Sequence, residues 1–247
     1  MIRIVVAYPD LLNLYGDYAN IRLLAARLQG CGERVEIADF SVGSYHDFSA
    51  ADLLYFGAGT EDRMLQALRD FRRFGKELAA FIANGGRLLA TGNAGAIFCR
   101  SVEDTRPGKE GKAEGIGLFA ADAQIIRRRR YSELVCGSDI CSDKLLGCVN
   151  SSVNFVRDEA QAPMHRVLWD SEKRFAAGSG EGLSAAEGRL LATELTGPVF
   201  FRNPALLSAF AAQLCKKQLP ACEEQWYKQL QAGYAHALAV LPREATK

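Results

Sequence analysis

A buried strand that runs straight into a glycine turn and then a helix leaves a chain few folds to choose from. Residues Arg87-Leu-Leu-Ala-Thr-Gly-Asn-Ala-Gly-Ala-Ile-Phe98 read that way. Arg87 to Thr91 supply a buried strand, and Gly92 permits the tight turn. Such a junction is a nucleophile elbow, which lifts one side chain above the end of a sheet for attack on a carbonyl. The side chain lifted here is Ala94, a methyl group, and a methyl group attacks nothing.

The residues before the elbow alternate strand and helix. Ile2 to Ala7 is an apolar run suited to a strand buried on both faces, Val35 to Phe40 reads as a second strand, and Asp52 to Phe56 as a third. Asp17 is placed to cap a helix carrying Ile21, Leu24 and Leu28 and ending at Gly30. Leu65, Leu68, Phe71, Leu78 and Phe81 predict one helix over Asp62 to Asn84. Repeated units of this length imply an α/β fold: a mostly parallel central sheet flanked by helices. From Gly115 to Val156 helical period fades, and short β-prone stretches predict antiparallel strands extending the sheet. Val102 to Gly117, rich in charge and glycine, reads as a surface loop. A last core strand, Arg189 to Leu195, precedes Thr196-Gly197-Pro198. After Asn203-Pro204 the chain turns helical, with Trp226, Leu230, Tyr234, Leu238 and Leu241 on one stripe expected to pack on the protein itself. The expected division is a domain over 1–210 and a C-terminal helical extension over 211–247.

Thirty basic side chains against 29 acidic ones leave a net charge of +1, which argues against general nucleic-acid or membrane-surface binding. No apolar run approaches the roughly 18 residues of a membrane span. Met1 to Ala7 is too short, and too soon followed by Tyr8-Pro9-Asp10, to read as a signal peptide. Seven scattered cysteines without a CxxC pair, and only three histidines, fit a reduced cytoplasmic protein with no metal site. His46, His165 and His236 have no ligand-spaced neighbours, and Glu61 and Asp62 read as an acidic helix start.

Four clusters stand in a telling order: Tyr8-Pro-Asp-Leu-Leu-Asn-Leu-Tyr-Gly-Asp-Tyr-Ala-Asn-Ile21, Phe56-Gly-Ala-Gly-Thr-Glu-Asp-Arg63, Gly92 to Phe98, and Arg189 to Pro204. Together they resemble the class I glutamine amidotransferases of the CobB/CobQ-like group. The first and last clusters are similar to GatD-type glutaminase subunits, which partner a Mur-ligase-like protein in lipid II isoglutaminyl synthase. The resemblance spans residues 1 to about 210. It implies a flavodoxin-like fold and chemistry in which a cysteine thiolate attacks the glutamine amide, a histidine shuttles the proton and backbone N–H groups hold the oxyanion.

Carried across position by position, the cysteine falls on Ala94 and the histidine on Thr196, which is still followed by Gly197-Pro198. Ala96 and Phe98 replace a glycine and a glutamine of the elbow. Neither reacting group remains. Cys99, five residues on, is displaced about 7.5 Å along a helix and turned away, so it reads as a small buried thiol. The binding shell implied by the resemblance comprises Gly57, Ala58 and Gly59 (N–H donors or simply a tight turn), Gly95, and Arg129. Arg129 falls near the family arginine that contacts glutamine, and its guanidinium suits a carboxylate; the run Arg127 to Arg130 also reads as a solvated edge. Val149 to Asn154 matches a stretch where the family carries an Asn-His pair, here without the histidine.

The expected role is a glutaminase-type subunit without its own hydrolytic chemistry, acting as structural or regulatory partner of a Mur-ligase-like protein. Glutamine or a related small amino acid is the expected ligand, and no cofactor is implied. One alternative is an active glutaminase, serving cell-wall or cobalamin-type amidation, with a relocated or partner-supplied nucleophile. The other is a small-molecule-binding α/β protein without a ligase partner.

Overall fold

The structure, a computed structural model, describes every residue except Ala177 and Lys247. The first half builds β1 (Ile2–Ala7), α1 (Tyr18–Gln29), β2 (Val35–Phe40), β3 (Leu53–Phe56), α2 (Glu61–Phe71), α3 (Gly75–Ala83) and β4 (Arg87–Thr91). A second set of strands follows: β5 (Ser101–Asp104), β6 (Gly111–Glu114), β7 (Ala121–Gly137), β8 (Leu145–Arg157), β9 (His165–Asp170) and β10 (Gly180–Glu181). The chain then returns through β11 (Leu183–Ala185) and β12 (Leu190–Thr193) to four helices: α4 (Val199–Arg202), α5 (Pro204–Cys215), α6 (Gln225–Val240) and α7 (Arg243–Thr246).

The first sheet has the order β11-β12-β4-β3-β1-β2 and is parallel except at β11. Its five parallel strands follow the flavodoxin-like order, in which ligands meet the carboxyl ends of the strands. Strand period divides the core in two. Val5, Ala7, Leu54, Phe56, Leu88 and Ala90 pack with Met64, Leu68 and Phe71 of α2. Ile4, Val6, Leu53, Tyr55 and Leu89 pack on the other face with Ile21, Leu24 and Leu28 of α1 and Leu207 and Phe210 of α5. Helices therefore cover both faces, as the continuous apolar strands require. No helix among the described residues is long and apolar enough to cross a membrane.

The strands expected to lengthen the first sheet form a sheet of their own, antiparallel except where β5 runs parallel to β7. Its order is β10-β9-β7-β5-β6, with β8 along β7, and one bridge, Val149 to Leu195, joins it to the end of β12. Along β7 and β8 the register jumps from Ile125–Val153 to Arg130–Ser151, so residues 126–129 bulge out opposite Ser152 alone. Three further departures from the sequence reading have local causes. The helix expected over Asp62 to Asn84 breaks at a 3-10 turn, Arg72–Phe74, which lets the buried Phe74 ring meet Phe71 and Phe48. The loop expected over Val102 to Gly117 holds the β5–β6 hairpin, whose Arg106 and Lys109 pair with Asp62. Asp17 makes no cap bond; its carboxylate turns inward to Thr91.

Candidate functional site

The four clusters meet at the carboxyl edge of the first sheet. The loop after β1, the glycine turn after β3, the segment after β4 and the segment after β12 all leave from that edge, and the register Thr91–Thr193 sets the last two side by side. Gly92 turns the chain with φ +61°, a left-handed value that glycine adopts freely. Its N–H donates to the Leu195 carbonyl at 3.1 Å. The next residues wind as a 3-10 helix, Gly92–Phe98, and every one is buried. Ala94 has no exposed surface. Gly95 lies against Ala192 and the Phe155 ring of β8, close enough that a Cβ there would sit 2.9 Å from each. Phe98 points into the core, edge-on to Phe56 at 4.9 Å.

The glycine turn is occupied from within. Asn93 Nδ2 donates to the Gly59 carbonyl at 2.8 Å, and the Gly59 N–H donates back to Asn93 Oδ1 at 3.1 Å. The Ala58 N–H is directed at the Asp17 carboxylate, and the Ala58 carbonyl accepts from the Leu14 N–H at 2.9 Å. Gly57 is overlaid by the Leu12 carbonyl and Asp17 Cβ, leaving no room for a side chain. Beneath this turn runs a buried chain of hydrogen bonds. Thr91 Oγ1 donates to Asp17 Oδ1 at 2.9 Å and lies 2.9 Å from the Tyr55 hydroxyl, which accepts from Asn20 Nδ2 at 2.9 Å. Asn20 also accepts the Phe200 N–H, tying α1 to the start of α4. Burial raises the Asp17 carboxyl above its ordinary range, against hydrogen bonds from Thr91 and the backbone that pull it down.

Thr196 lies beside the elbow: a Cβ on Gly92 would come within 4.0 Å of its methyl group. Its hydroxyl accepts the Asn150 N–H at 3.1 Å and donates to the Glu194 carbonyl at 3.4 Å, while its N–H donates to Cys148. Arg129, at the end of the β7 bulge, reaches over the same edge. Its Nε donates to Asn150 Oδ1 at 2.6 Å, Nη2 donates to the Asn150 carbonyl at 2.9 Å and to the Tyr15 hydroxyl, and Nη1 stands 3.7 Å from Glu61 Oε1. Glu61 in turn accepts the Ser152 N–H at 3.2 Å. Thr60, not the acidic pair, caps α2.

The site therefore sets Thr196 beside Gly92 of the elbow that carries Ala94, joins Thr196 to Arg129 through Asn150, and adds Tyr15 and Glu61 on Arg129. Tyr15 and Asn150 lie in stretches the sequence marked without assigning them a contact; Glu61 read only as a helix start. Cys99 is fully buried, its thiol directed at the Gly95 carbonyl and pushed up to about 12 by burial. Arg127 and Arg128 stand exposed on the bulge. His46, His165 and His236 do not meet, and among the described residues no group of three or more His, Cys, Asp or Glu is placed to hold a metal ion.

The chain is similar to a solved glutamine amidotransferase at 13% identity (TM-score 0.47, covering 86% of this chain and 98% of that one). It is also similar to the glutaminase domain of Trypanosoma brucei CTPS with bound acivicin, at 12% identity (TM-score 0.55, covering 92% and 99%). The second likeness supports the fold and nothing finer. No curated protein matches the chain in sequence. The family model for the CobB/CobQ-like glutamine amidotransferase domain matches residues 3–199, most of the chain, and the protein belongs to that family.

Proposed function

We propose that this chain is a GatD-type subunit that no longer hydrolyses glutamine and acts as a structural or regulatory partner of a Mur-ligase-like protein. The observation that carries the reading is the pair at the carboxyl edge. A fully buried methyl occupies position 94, and the neighbouring Thr196 offers a hydroxyl already hydrogen-bonded on both sides. An acyl transfer needs a nucleophile and a base able to move its proton. Alanine lacks the first, and threonine is no base near neutral pH. Cys99 is a poor substitute: its buried thiol, raised to about 12, holds almost no thiolate, and its hydrogen bond goes to a carbonyl.

Support for the partner is the likeness of Tyr8 to Ile21 and of Arg189 to Pro204 to GatD-type subunits. The old cleft keeps one polar feature suited to an amino acid or amide, the Arg129–Asn150–Tyr15 cluster. The test is ammonia release from glutamine by the purified chain, alone and co-expressed with a Mur-ligase-like subunit. The expected result is a stable complex and no release above the uncatalysed rate in either sample. Robust turnover by the purified chain overturns the reading.

A further inference from the structure

The cysteines are scattered along the sequence, but the fold brings Cys31 and Cys215 to one place. Cys31 lies just past the end of α1, and Cys215 is the last residue of α5. Three contacts hold these helix ends together. Arg27 of α1 donates to the Ser208 hydroxyl of α5 at 3.1 Å, to the Cys31 sulfur, and to the Pro220 carbonyl at 2.5 Å. Lys217, two residues past Cys215, pairs with Glu33, two residues past Cys31, at 2.5 Å. Glu224 reaches back to Gly30, where a Cβ would stand 2.5 Å from its carboxylate. Between these anchors the two thiols lie within electrostatic reach of each other, and the Lys217 ammonium faces both.

Cysteines react where their surroundings are electropositive and partly open to solvent. Cys31 and Cys215 are both partly exposed, whereas Cys99 and Cys136 are fully buried. A guanidinium only donates, so the Cys31 sulfur is the acceptor in its contact with Arg27, its electron pair held beside a fixed cation. Burial raises the Cys215 thiol, so this sulfur keeps its proton until its neighbour has reacted. Cys222, also partly exposed, follows Pro220 in the same segment and is the competing partner. We propose that Cys31 and Cys215 are a redox pair, closed to a disulfide by hydrogen peroxide and reopened by a dithiol. The Cys31 sulfur attacks one peroxide oxygen: an S–O bond forms, the O–O bond breaks, and the leaving hydroxide takes the Cys31 proton as water. Cys215 then attacks the oxidised sulfur: the S–S bond forms, the S–O bond breaks, and the second hydroxide takes the Cys215 proton as water. Two thiols lose two electrons, and peroxide gains them. The bond fastens the ends of two helices that cover the same face of the first sheet. In a reducing compartment such a bond is transient and reports oxidant.

The test is peroxide treatment of the folded, reduced protein, followed by alkylation of the remaining thiols and peptide mapping by mass spectrometry. The expected product is one intramolecular disulfide between Cys31 and Cys215, reopened by dithiothreitol, with the far-UV circular dichroism unchanged. Cys215→Ser is expected to stop the reaction at a Cys31 sulfenic acid, trapped by dimedone. Cys31→Ser is expected to leave Cys215 a thiol at the same dose, and Cys222→Ser to leave bond formation unchanged. The proposal is overturned if Cys31 bonds to Cys222, or if it is oxidised in the native chain without bonding to Cys215. It is equally overturned if the bond forms only in urea or between two molecules, or if both thiols survive a dose that oxidises the exposed Met1.

Discussion

Asn93 and Gly59 hold each other by both ends, one side-chain amide exchanging two hydrogen bonds with one backbone unit across the elbow. The pair is buried, so neither partner finds water if the other is lost. Asn93→Ala leaves the Gly59 N–H and carbonyl unsatisfied and is expected to cost about 1–3 kcal/mol. Urea unfolding measures it. A loss under about 0.5 kcal/mol would mean that the glycine turn relaxes to other partners.

The same pair bears on whether chemistry returns when its side chains do. In Ala94→Cys/Thr196→His the thiol and imidazole are present, but the Gly59 N–H stays with Asn93 and the Ala58 N–H with Asp17. Position 94 also remains sealed from solvent beside Gly95 and Phe155. An oxyanion without donors forgoes about 10²–10³ in rate for each donor missing. Glutamine hydrolysis by the double variant is therefore expected at background, as ammonia release at saturating glutamine; turnover at even 1 s⁻¹, about the low end of enzyme rates, would refute this.

What the sequence disclosed follows from the range of the forces involved. Ile2 to Ala7 and Arg87 to Thr91 are strands because apolar runs buried on both faces have few alternatives, Val35 to Phe40 is the more polar and more exposed edge strand beside β1, and all three bounds agree with the structure. The juxtaposition of Thr196 with Gly92 was legible from two strand ends in a parallel sheet. The 3-10 break at Arg72–Phe74 was hidden because Phe71 and Phe81 keep an apparent helical face across it. The β5–β6 hairpin was hidden by its charge: Arg106 and Lys109 read as loop residues until Asp62, more than 40 positions away, accounts for them. Asn150 and Tyr15 were recognised as parts of clusters, but their meeting with Arg129 is a tertiary event that no local period encodes.

Arg129 fastens the bulge of β7 to the β1 loop through Tyr15 and to β8 through Asn150. Its side chain is 41% exposed, so the bonds are partly matched by water. Arg129→Ala is expected to change global stability by less than about 1 kcal/mol. The local effect is expected to be larger: amide exchange over residues 126–129 and 13–17 should speed up about 10-fold or more, while β1 and β4 keep their protection. Hydrogen exchange by mass spectrometry reads both. Unchanged exchange in those two loops would show that the bulge holds its shape without this arginine.

Glu181 and His165 face each other across the β9–β10 pairing, both buried, and they set opposite slopes on stability against pH. Burial and the nearby Glu194 raise the Glu181 carboxyl from 4.5 to about 8; burial lowers the His165 imidazole from 6.5 to about 4. Glu181 Oε1 accepts from Thr193 at 2.7 Å and from the Glu194 N–H, while Oε2 and both His165 nitrogens have no hydrogen-bond partner among the described residues. Between about pH 4.5 and 8 the folded protein keeps a proton on Glu181 that the unfolded chain has released, so this group makes stability fall as pH rises. Between about pH 4 and 6.5 the unfolded chain keeps a proton on His165 that the folded protein lacks, so this group makes stability rise with pH. The two slopes cancel from about 4.5 to 6.5. Above 6.5 only Glu181 acts, and stability is expected to fall by about 2 kcal/mol on going to pH 8, at 1.4 kcal/mol per unit. Glu181→Gln keeps the Oε1 acceptor, removes the fall above 6.5 and uncovers the His165 rise below it. His165→Phe does the reverse, extending the fall down to about 4.5. Urea unfolding of the three proteins from pH 4 to 8.5 decides it: parallel curves for the native chain and Glu181→Gln would mean that this carboxyl is already ionised in the folded state.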